Sequence, residues 1–248
     1  MPDGRNQVIT TSIIITTFNR NPQLARTLAS IRGQRFEGEI LVVDDGDLSH
    51  GHPSAQLVCD RFGAKRISLR RPASLQFRNP SYPNNVGIRA ATGSILILQN
   101  AECEHIDPKT IEKLTVPVIA DLSVVTFALV VAMQQDGSQG TLYCGQENPR
   151  PYFFCGAIRR QVLLDLRGFD EDYWGAGFED DDLADRLGAS GAKFEWTSAL
   201  VRHQWHPPAG EYSSADQMRS LYQSKLAAML RGELGLARNV GRDWGGQP

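Results

Sequence analysis

The feature that most constrains the fold is an alternation of short apolar runs with amphipathic segments over the first hundred residues. Runs such as TSIIITTF (residues 11–18) are rich in β-branched side chains and are typical of strands buried on both faces. Predicted strands cover residues 11–18, 39–47, 64–69 and 94–102, and predicted helices cover residues 21–34, 54–62 and 82–91. This order predicts an α/β fold with a Rossmann-like, doubly wound, mostly parallel sheet.

The second half of the chain is less regular. Two further strands are predicted at residues 122–133 and 140–145, with a short helix at 160–169 and a final helix at 213–230. Residues 237–248 (ARNVGRDWGGQP) are rich in glycine, which predicts a flexible tail or flap. Neither repeats nor a linker divide the chain, so we expect a single domain over residues 1–248.

Composition excludes several classes of function. The 248 residues carry a net charge of −2, so no overall basic field attracts nucleic acid or an anionic membrane. The longest apolar run, residues 124–133, is about half of a membrane-spanning helix, and its valines predict a strand. The amino terminus lacks an apolar leader, and the four cysteines are scattered without a C-x-x-C pair. Both features predict a cytoplasmic protein with reduced thiols.

Polar clusters follow three of the predicted strands, at Thr16–Asn19, Asp44–Gly46 and Gln99–Glu102. Right-handed crossovers place these strand ends on one edge of the sheet, where open α/β sheets bind their ligands. The first strand is not followed by G-x-G-x-x-G, and the sequence contains no P-loop, which excludes those two phosphate-binding modes. The Phe18 ring, beside the hydroxyls and carboxylates of these clusters, fits a nucleobase.

Four consecutive acids, Glu179 to Asp182, follow a Trp-Gly-Ala-Gly loop and begin a predicted helix. Acids in the first turn of a helix are favoured by the helix dipole, and Asp182 can form an i,i+4 surface pair with Arg186. Asp180 shares a helical stripe with two leucines of the following turns, so its side chain is predicted to face the protein. The dipole and the surface pair therefore account for Asp182 better than for Asp180.

Four segments in this order resemble family 2-type glycosyltransferases of the GT-A fold: SIIITTFNR, EILVVDDGD, NNVGIRAATGSILILQNAE and GFDEDYWGAGFEDDDLADRL. The last segment is also similar to the WGWGGEDDD region of the β-1,4-galactosyltransferases. The resemblance extends over about residues 12–206 and implies sugar transfer from a nucleotide diphosphate-sugar with Mn²⁺ or Mg²⁺. It also implies a nucleotide-sugar-binding half at about 12–104, an acceptor half at about 105–206, and a C-terminal helix and tail at 207–248.

The resemblance assigns donor and metal contacts residue by residue. The donor contacts are Thr16, Phe18, Asn19, Asp44, Asp45, Asn100 and Ala101, with Asp45 matching the acid that contacts uracil. The segment Asn100-Ala101-Glu102 replaces the Asp-x-Asp metal motif of the family, so Glu102 is the remaining acidic ligand. His203, in LVRH, matches the metal-binding histidine of the galactosyltransferases, and His206 is the alternative. Imidazole ligation favours Mn²⁺ over Mg²⁺.

The acidic run matches the acceptor site of the same family. Its Glu-Asp pair corresponds to Glu179-Asp180, which implies that Glu179 binds the acceptor and that Asp180 is the general base. Trp174, Gly175 and Gly177 resemble a lid. Asp181 and Asp182 are then left to stabilise the start of the helix.

Three functions are open at this point. The first is an inverting glycosyltransferase that moves a sugar from a UDP-sugar to a hydroxyl of a glycan, protein or small molecule. The second is a non-catalytic module of the same fold that binds sugar nucleotides or glycans, which the replacement of Asp by Asn100 motivates. The third is a glycosyltransferase that acts on a modified nucleic-acid base, motivated by a local basic cluster: Lys65, Arg66, Arg70, Arg71 and Arg78.

Overall fold

The computed structural model of the protein describes residues 9–46, 54–69, 78–207 and 214–246. The strands in this part of the chain are β1 (Thr11–Thr17), β2 (Glu39–Asp44), β3 (Lys65–Ser68), β4 (Ile95–Asn100), β5 (Cys103–His105), β6 (Val124–Met133), β7 (Gln139–Cys144), β8 (Cys155–Arg159) and β9 (Lys193–His203). The helices there are α1 (Asn21–Gly33), α2 (Ala55–Phe62), α3 (Ser81–Ala90), α4 (Thr110–Ala120), α5 (Arg160–Asp165), α6 (Glu179–Ala189) and α7 (Ala215–Leu230). All of these strands belong to one sheet.

The first half of the sheet is parallel. β2 lies between β3 and β1, and β4 lies on the other side of β1. Thr16 of β1 is paired with Val43 of β2 on one side and with Asn100 of β4 on the other. The carboxyl ends of these strands therefore lie side by side, and the predicted convergence of the polar strand ends is confirmed.

The second half of the sheet is mixed, in agreement with the less regular half expected from the sequence. β8 is antiparallel to both β4 and β6, and it joins the two halves. β9 runs parallel to β6 and antiparallel to β5, while β7 forms a hairpin with β6. This half brings the end of β9 next to β5, which follows β4 in the chain.

The core forms around the central strands because they are apolar on both faces. Ile13, Ile14 and Ile15 of β1 are all fully buried, as expected for a parallel strand that is covered on both sides. α3 packs against β1 and β2. A Cβ atom at Gly87 of α3 would lie 2.4 Å from the Ile14 side chain, so this glycine permits the close approach of the helix to the sheet.

Helix α4 is absent from the elements predicted from the sequence. Pro117 lies within this helix. Proline in a helix removes one backbone hydrogen bond and crowds the preceding turn, so it normally indicates a helix end. Here α4 continues through Pro117 and packs against β6, β8 and β9, so tertiary packing outweighs the local signal.

The C-terminal tail is packed against the fold, and the prediction of a flexible tail or flap is wrong for its described residues. Trp244 is 8% exposed and Asn239 is 7% exposed. Arg89 donates to the Trp244 carbonyl oxygen at 2.6 Å, and the Asn239 amide donates to the Phe169 carbonyl oxygen at 2.7 Å. These partners are 155 and 70 residues away in the chain, so the glycine-rich composition of the tail could not reveal them.

The remaining predictions concern the cysteines and the longest apolar run. All four cysteines are buried free thiols, as predicted. The apolar run at residues 124–133 is strand β6. In the part of the chain that the structure describes, no helix combines the length and the apolar character needed to cross a membrane.

Candidate active site

A cavity of about 580 Å³ lies beside the carboxyl end of β4. Its walls come from the start of α3, the end of β4, the loop before β8, the first turn of α6 and the end of β9. The acidic and imidazole side chains in the lining are Glu102, Glu179, Asp180, Asp181, His203 and His206. The fold therefore brings the predicted metal ligands and the predicted acceptor-site acids to one cavity.

Helix α6 begins with the acidic run. Phe178, just before the helix, has a left-handed backbone with φ 71°. Its ring stacks on Tyr222 of α7, with 5.6 Å between the ring centroids. No side chain caps the helix, so the acids of the first turn lie where the helix dipole favours negative charge.

Glu179 and Asp180 lack a basic partner among the described residues. The Asn79 amide donates to the Glu179 carboxylate at 3.0 Å and to the Gly175 carbonyl oxygen at 2.6 Å. Burial raises the pKa of Glu179, and the hydrogen bond from Asn79 offsets part of the rise. Burial and the adjacent Glu179 raise the pKa of Asp180 well above the usual range of aspartate, although part of the residue is open to the cavity. Asp180 therefore binds a proton more readily than an exposed aspartate, as a general base requires.

Asp181 also lines the cavity, although the sequence assigned it to the helix start. The Tyr152 hydroxyl donates to Asp181 Oδ1 at 2.7 Å. Tyr152 precedes β8 and lines the same cavity, together with Phe154. This wall combines an aromatic surface with a fixed hydrogen-bond acceptor, a combination that suits a polar ligand with apolar faces.

Asp182 is turned into the protein interior, and the prediction of a surface pair with Arg186 is wrong. Asp182 and Arg186 do pair, with 2.7 Å between Oδ2 and Nε, but they are 3% and 0% exposed. Arg238 of the C-terminal tail contacts the other Asp182 oxygen at 3.1 Å. Arg186 also donates to the Gly168 carbonyl oxygen at 3.0 Å. The pair is buried because the tail covers it, and the sequence places the tail 56 residues away.

Glu102, His203 and His206 form the candidate cation site. Their ligand atoms, one from each residue, all lie within 4.8 Å of one another. Burial, His206 and Arg20 lower the pKa of His203 to about 4, so its imidazole is neutral and able to ligate at neutral pH. One carboxylate with two imidazoles suits Mn²⁺, so these residues fit the cation that the family implies. His206 was predicted as an alternative ligand to His203, and in the structure both histidines belong to the cluster.

The predicted donor residues lie mostly outside the cavity. Among the described residues of that set, Asn100 alone lines it. Phe18 and Asn19 instead pack against Gly46, where an added Cβ would lie 2.9 Å from the Phe18 ring and 2.4 Å from Asn19 Oδ1. The first and second strand ends are therefore in direct contact, with Thr16 half-buried beside them.

Asp44 and Asp45 each pair with an arginine. Arg66 donates to Asp44 Oδ2 through Nε at 2.9 Å and through Nη2 at 2.7 Å. Arg78 Nη1 lies 2.8 Å from Asp45 Oδ1. Asp44 is 1% exposed and also accepts from the Gly46 backbone N–H. Asp44 therefore holds the strand ends together, whereas a contact of Asp45 with the nucleobase stays a prediction.

The basic cluster that motivated nucleic-acid binding is partly occupied by these pairs. Arg66 and Arg78 direct their charge to the two aspartates, with 13% and 14% of their side chains exposed. Lys65 is exposed. Arg70 and Arg71 lie outside the described residues.

Ala101 supports its neighbours from inside the fold. It is fully buried, its N–H donates to the Thr16 carbonyl oxygen at 3.0 Å, and its carbonyl oxygen accepts from Thr27 Oγ1 at 2.7 Å. Its backbone polar groups are thus engaged within the protein, and Ala101 fixes the positions of Asn100 and Glu102.

The two glycines of the predicted lid differ in their surroundings. Gly175 is buried, and a Cβ there would lie 2.2 Å from Ser214 Oγ. Gly177 has φ 87°, and apart from its two chain neighbours no atom lies within 4 Å of the position of an added Cβ. Trp174 is 59% exposed. The lid itself stays a prediction.

The sequence-based assignment lacks several residues of the site, among them Arg20, Asn79 and Tyr152. Arg20 directly follows the first polar strand end, so its position was a usable signal. Asn79 is 100 residues from Glu179, and Tyr152 is 29 residues from Asp181. Contacts at such separations leave no local pattern in one sequence.

Family models match most of the chain. A model described as glycosyl transferase family 2 matches residues 12–169, and one described as the N-terminal domain of galactosyltransferase matches residues 144–207. No curated protein matches the chain at a significant level. The two matched regions overlap at β8 and together include the strand ends, the acidic run and the candidate cation site.

Solved structures of glycosyltransferases share the fold. The mannosyltransferase PcManGT of Pyrobaculum calidifontis, in complex with GDP-Man and Mn²⁺, is 17% identical with a TM-score of 0.61, over 89% of this chain and 64% of its own. TarS of S. aureus is 18% identical with a TM-score of 0.60, over 87% of this chain and 43% of its own. At these identities the likeness establishes the fold alone.

A third structure is similar over more of its own length. Glucosyl-3-phosphoglycerate synthase of Mycobacterium tuberculosis, in complex with Mn²⁺, UDP and glucosyl-3-phosphoglycerate, is 16% identical with a TM-score of 0.57, over 94% of this chain and 82% of its own. The chain thus has the GT-A fold expected from the sequence, while it spans less than two thirds of PcManGT and TarS.

Proposed function

Because the chain belongs to glycosyltransferase family 2 and has the GT-A fold of enzymes that use nucleotide-sugars, we propose that it transfers a sugar from a UDP-sugar to an acceptor hydroxyl with inversion. The observation that carries this proposal is the single cavity that joins Glu179 and Asp180 to the candidate cation ligands. An acceptor and the sugar of a donor can meet only where both groups face the same space.

In the proposed reaction, Asp180 removes the proton of the acceptor hydroxyl. The acceptor oxygen forms a bond to the sugar C1 while the bond from C1 to the diphosphate oxygen breaks on the opposite face, which inverts the anomeric centre. Glu179, held by Asn79, accepts a hydrogen bond from the acceptor. The raised pKa of Asp180 supports its role, because a base works best when its pKa approaches the working pH.

The donor is proposed to lie across the convergent strand ends. Its nucleobase would contact Phe18 and Asp45, and its diphosphate would approach Glu102, His203 and His206. A divalent cation at these three residues, with Mn²⁺ favoured over Mg²⁺, would neutralise charge on the departing diphosphate. Both Mn²⁺-containing neighbours support a cation in this fold, although one holds GDP-Man and the other UDP.

The two halves of the chain divide these tasks. We assign nucleotide-sugar binding to about residues 12–104 and acceptor binding and catalysis to about 105–206, with the C-terminal helix and tail at 207–248 as support, all within one domain. The acceptor is proposed to be a glycan, a protein or a small molecule.

The proposal is tested by incubating the protein with UDP-glucose, UDP-galactose, UDP-N-acetylglucosamine and GDP-mannose, together with a panel of oligosaccharide, peptide and small-molecule acceptors that carry hydroxyl groups, with Mn²⁺ or with EDTA. We expect nucleotide diphosphate to be released from a UDP-sugar in Mn²⁺ and release to fall in EDTA. NMR of the product anomer then reports inversion. Binding of UDP-sugars without any release would contradict catalysis and favour the non-catalytic module, while a retained anomer would contradict inversion alone.

A further inference from the structure

Arg20 engages two of the three candidate cation ligands at once. It lies directly after Asn19 at the start of α1, and its side chain is 12% exposed. Its Nε atom is 3.1 Å from Glu102 Oε1, and its Nη2 atom is 3.1 Å from His206 Nδ1. Nη2 also donates to the Pro207 carbonyl oxygen at 2.9 Å. The guanidinium is thus anchored inside the candidate cation site.

The contact with Arg20 and a cation at Nε2 require opposite tautomers of His206. Arginine has donors only, so Nη2 hydrogen-bonds to His206 only in the tautomer in which Nδ1 accepts and the neutral ring carries its proton on Nε2. Nε2 is the nitrogen that faces Glu102, at 3.8 Å from Oε1. Nδ1 is also 2.8 Å from the Pro207 carbonyl oxygen, to which it donates in the other tautomer, and that tautomer leaves the Nε2 lone pair to a cation. Removal of Arg20 therefore favours the tautomer that can ligate through Nε2.

Charge gives a second reason why Arg20 and a cation exclude each other. Glu102 is the only carboxylate of the three-residue cluster, and Arg20 already neutralises it. A divalent cation at the same oxygen would meet a fixed positive charge within a few ångströms, and the two would repel. The cation therefore needs Arg20 to move to another anionic partner.

We propose that Arg20 couples cation binding to donor binding. Without donor, Arg20 holds Glu102 and His206 and keeps the affinity for the cation low. The diphosphate of the donor offers the guanidinium a doubly hydrogen-bonded anionic partner, draws it away from Glu102 and His206, and so completes the ligand set. This inference rests on the proposed use of a nucleotide diphosphate donor, and it assigns to Arg20 a positioning role at the same site.

The test is a titration with Mn²⁺ in which free Mn²⁺ is measured by electron paramagnetic resonance, with and without UDP. The variants are Arg20→Gln, Arg20→Lys and a control, Arg202→Gln, which removes an equal charge from a side chain that is 44% exposed and lies near Glu104. Without UDP, we expect Arg20→Gln to bind Mn²⁺ about tenfold more tightly than the wild type, within the usual range of coupling between sites. Arg20→Lys, which keeps the charge but not the forked donors, should fall between them, and Arg202→Gln should match the wild type.

UDP should strengthen Mn²⁺ binding by a larger factor in the wild type than in Arg20→Gln. An Arg20→Gln variant that is folded by circular dichroism and binds Mn²⁺ no more tightly than the wild type would overturn the inference while leaving the proposed function intact. If Arg20→Gln does not fold, the same comparison with Arg20→Lys decides. A wild type that binds no Mn²⁺ even with UDP would overturn the proposed cation use and the inference with it.

Discussion

Adjacent acids occur in two regions of this molecule, and their surroundings differ. At the end of β2, Asp44 and Asp45 each face an arginine at less than 3 Å. At the start of α6, Glu179 and Asp180 face a cavity and each other, without an ion pair among the described residues. Both pairs look alike in the sequence, because each is two acids next to a glycine-containing loop.

The difference shows that the role of a carboxylate depends on whether a basic side chain contacts it, and not on the acidic residue alone. An arginine beside a carboxylate favours the charged form, so such an acid serves the fold or a fixed contact. An acid that is buried without a cation favours the protonated form, which is the property of a general base. Asp182 shows the same dependence within helix α6. It lies two residues after Asp180, but it forms ion pairs with Arg186 and Arg238.

The largest effect is expected for Asp180→Asn. The amide keeps the shape of the side chain but cannot accept a proton at neutral pH. Transfer should fall by roughly 10²–10⁴-fold, the usual contribution of general-base catalysis, while the affinity for UDP should change little. Product formation under saturating donor, and UDP binding by calorimetry, check the two parts.

Asp185→Asn is the matched control for that variant. Asp185 lies on the same helix and accepts from the Tyr222 hydroxyl at 2.7 Å, outside the cavity, so transfer should persist.

The stability of Asp180→Asn provides a second check. Burial raises the pKa of Asp180, so its ionised form opposes folding at pH above that pKa. Asp180→Asn should therefore be no less stable than the wild type at pH 8, and a loss of both activity and stability would contradict its catalytic role.

The next effect concerns stability and not catalysis. Asp182→Asn removes the charge between two buried arginines and leaves Arg186 without its ion pair, while Arg238 keeps its contact with Asp170 at 3.2 Å. The free energy of unfolding should fall by roughly 3–5 kcal/mol, as for other broken buried ion pairs. Urea unfolding measures this. A loss of less than about 1 kcal/mol, the value of an exposed pair, would show that Asp182 and Arg186 are solvated after all.

The smallest effect is expected at β2. Asp45→Asn should weaken UDP binding by about tenfold, because a neutral amide is a poorer partner for a base N–H than a carboxylate. Loss of the Arg78 pair also lowers stability, so affinity for UDP is compared with affinity for ADP. The variant should lose the preference for UDP, and an unchanged preference would leave Asp45 as a partner of Arg78 only.

The fold was largely predictable from the sequence, because apolar runs and turn residues act locally. Strands β1, β2 and β4 and the meeting of their polar ends follow from such patterns. The α4 helix was hidden by Pro117, whose local signal is overridden by packing. The packed tail and the burial of Asp182 depend on contacts between segments 56 or more residues apart, which periodicity does not encode.

The candidate site was predictable in part, and for a different reason. Glu179, Asp180, Glu102 and His203 were assigned from the resemblance to a family. The order of the family motifs along the chain is characteristic of the fold. Asn79 and Arg20 were missed because their roles depend on which side chains face them across the cavity. The same reason explains why Asp44 and Asp45 could not be distinguished from Glu179 and Asp180 before their partners were known.

The central claim is that Asp180 acts as the base because its surroundings raise its pKa. The most direct test is the pH dependence of kcat/KM for the wild type and for the residual activity of Asp180→Asn. The base must be deprotonated, so wild-type activity should rise with pH along an acid limb whose midpoint lies well above 3.8, the ordinary pKa of aspartate. Asp180→Asn should lose this limb. An identical acid limb in both proteins would contradict the claim and assign the titrating base to another residue.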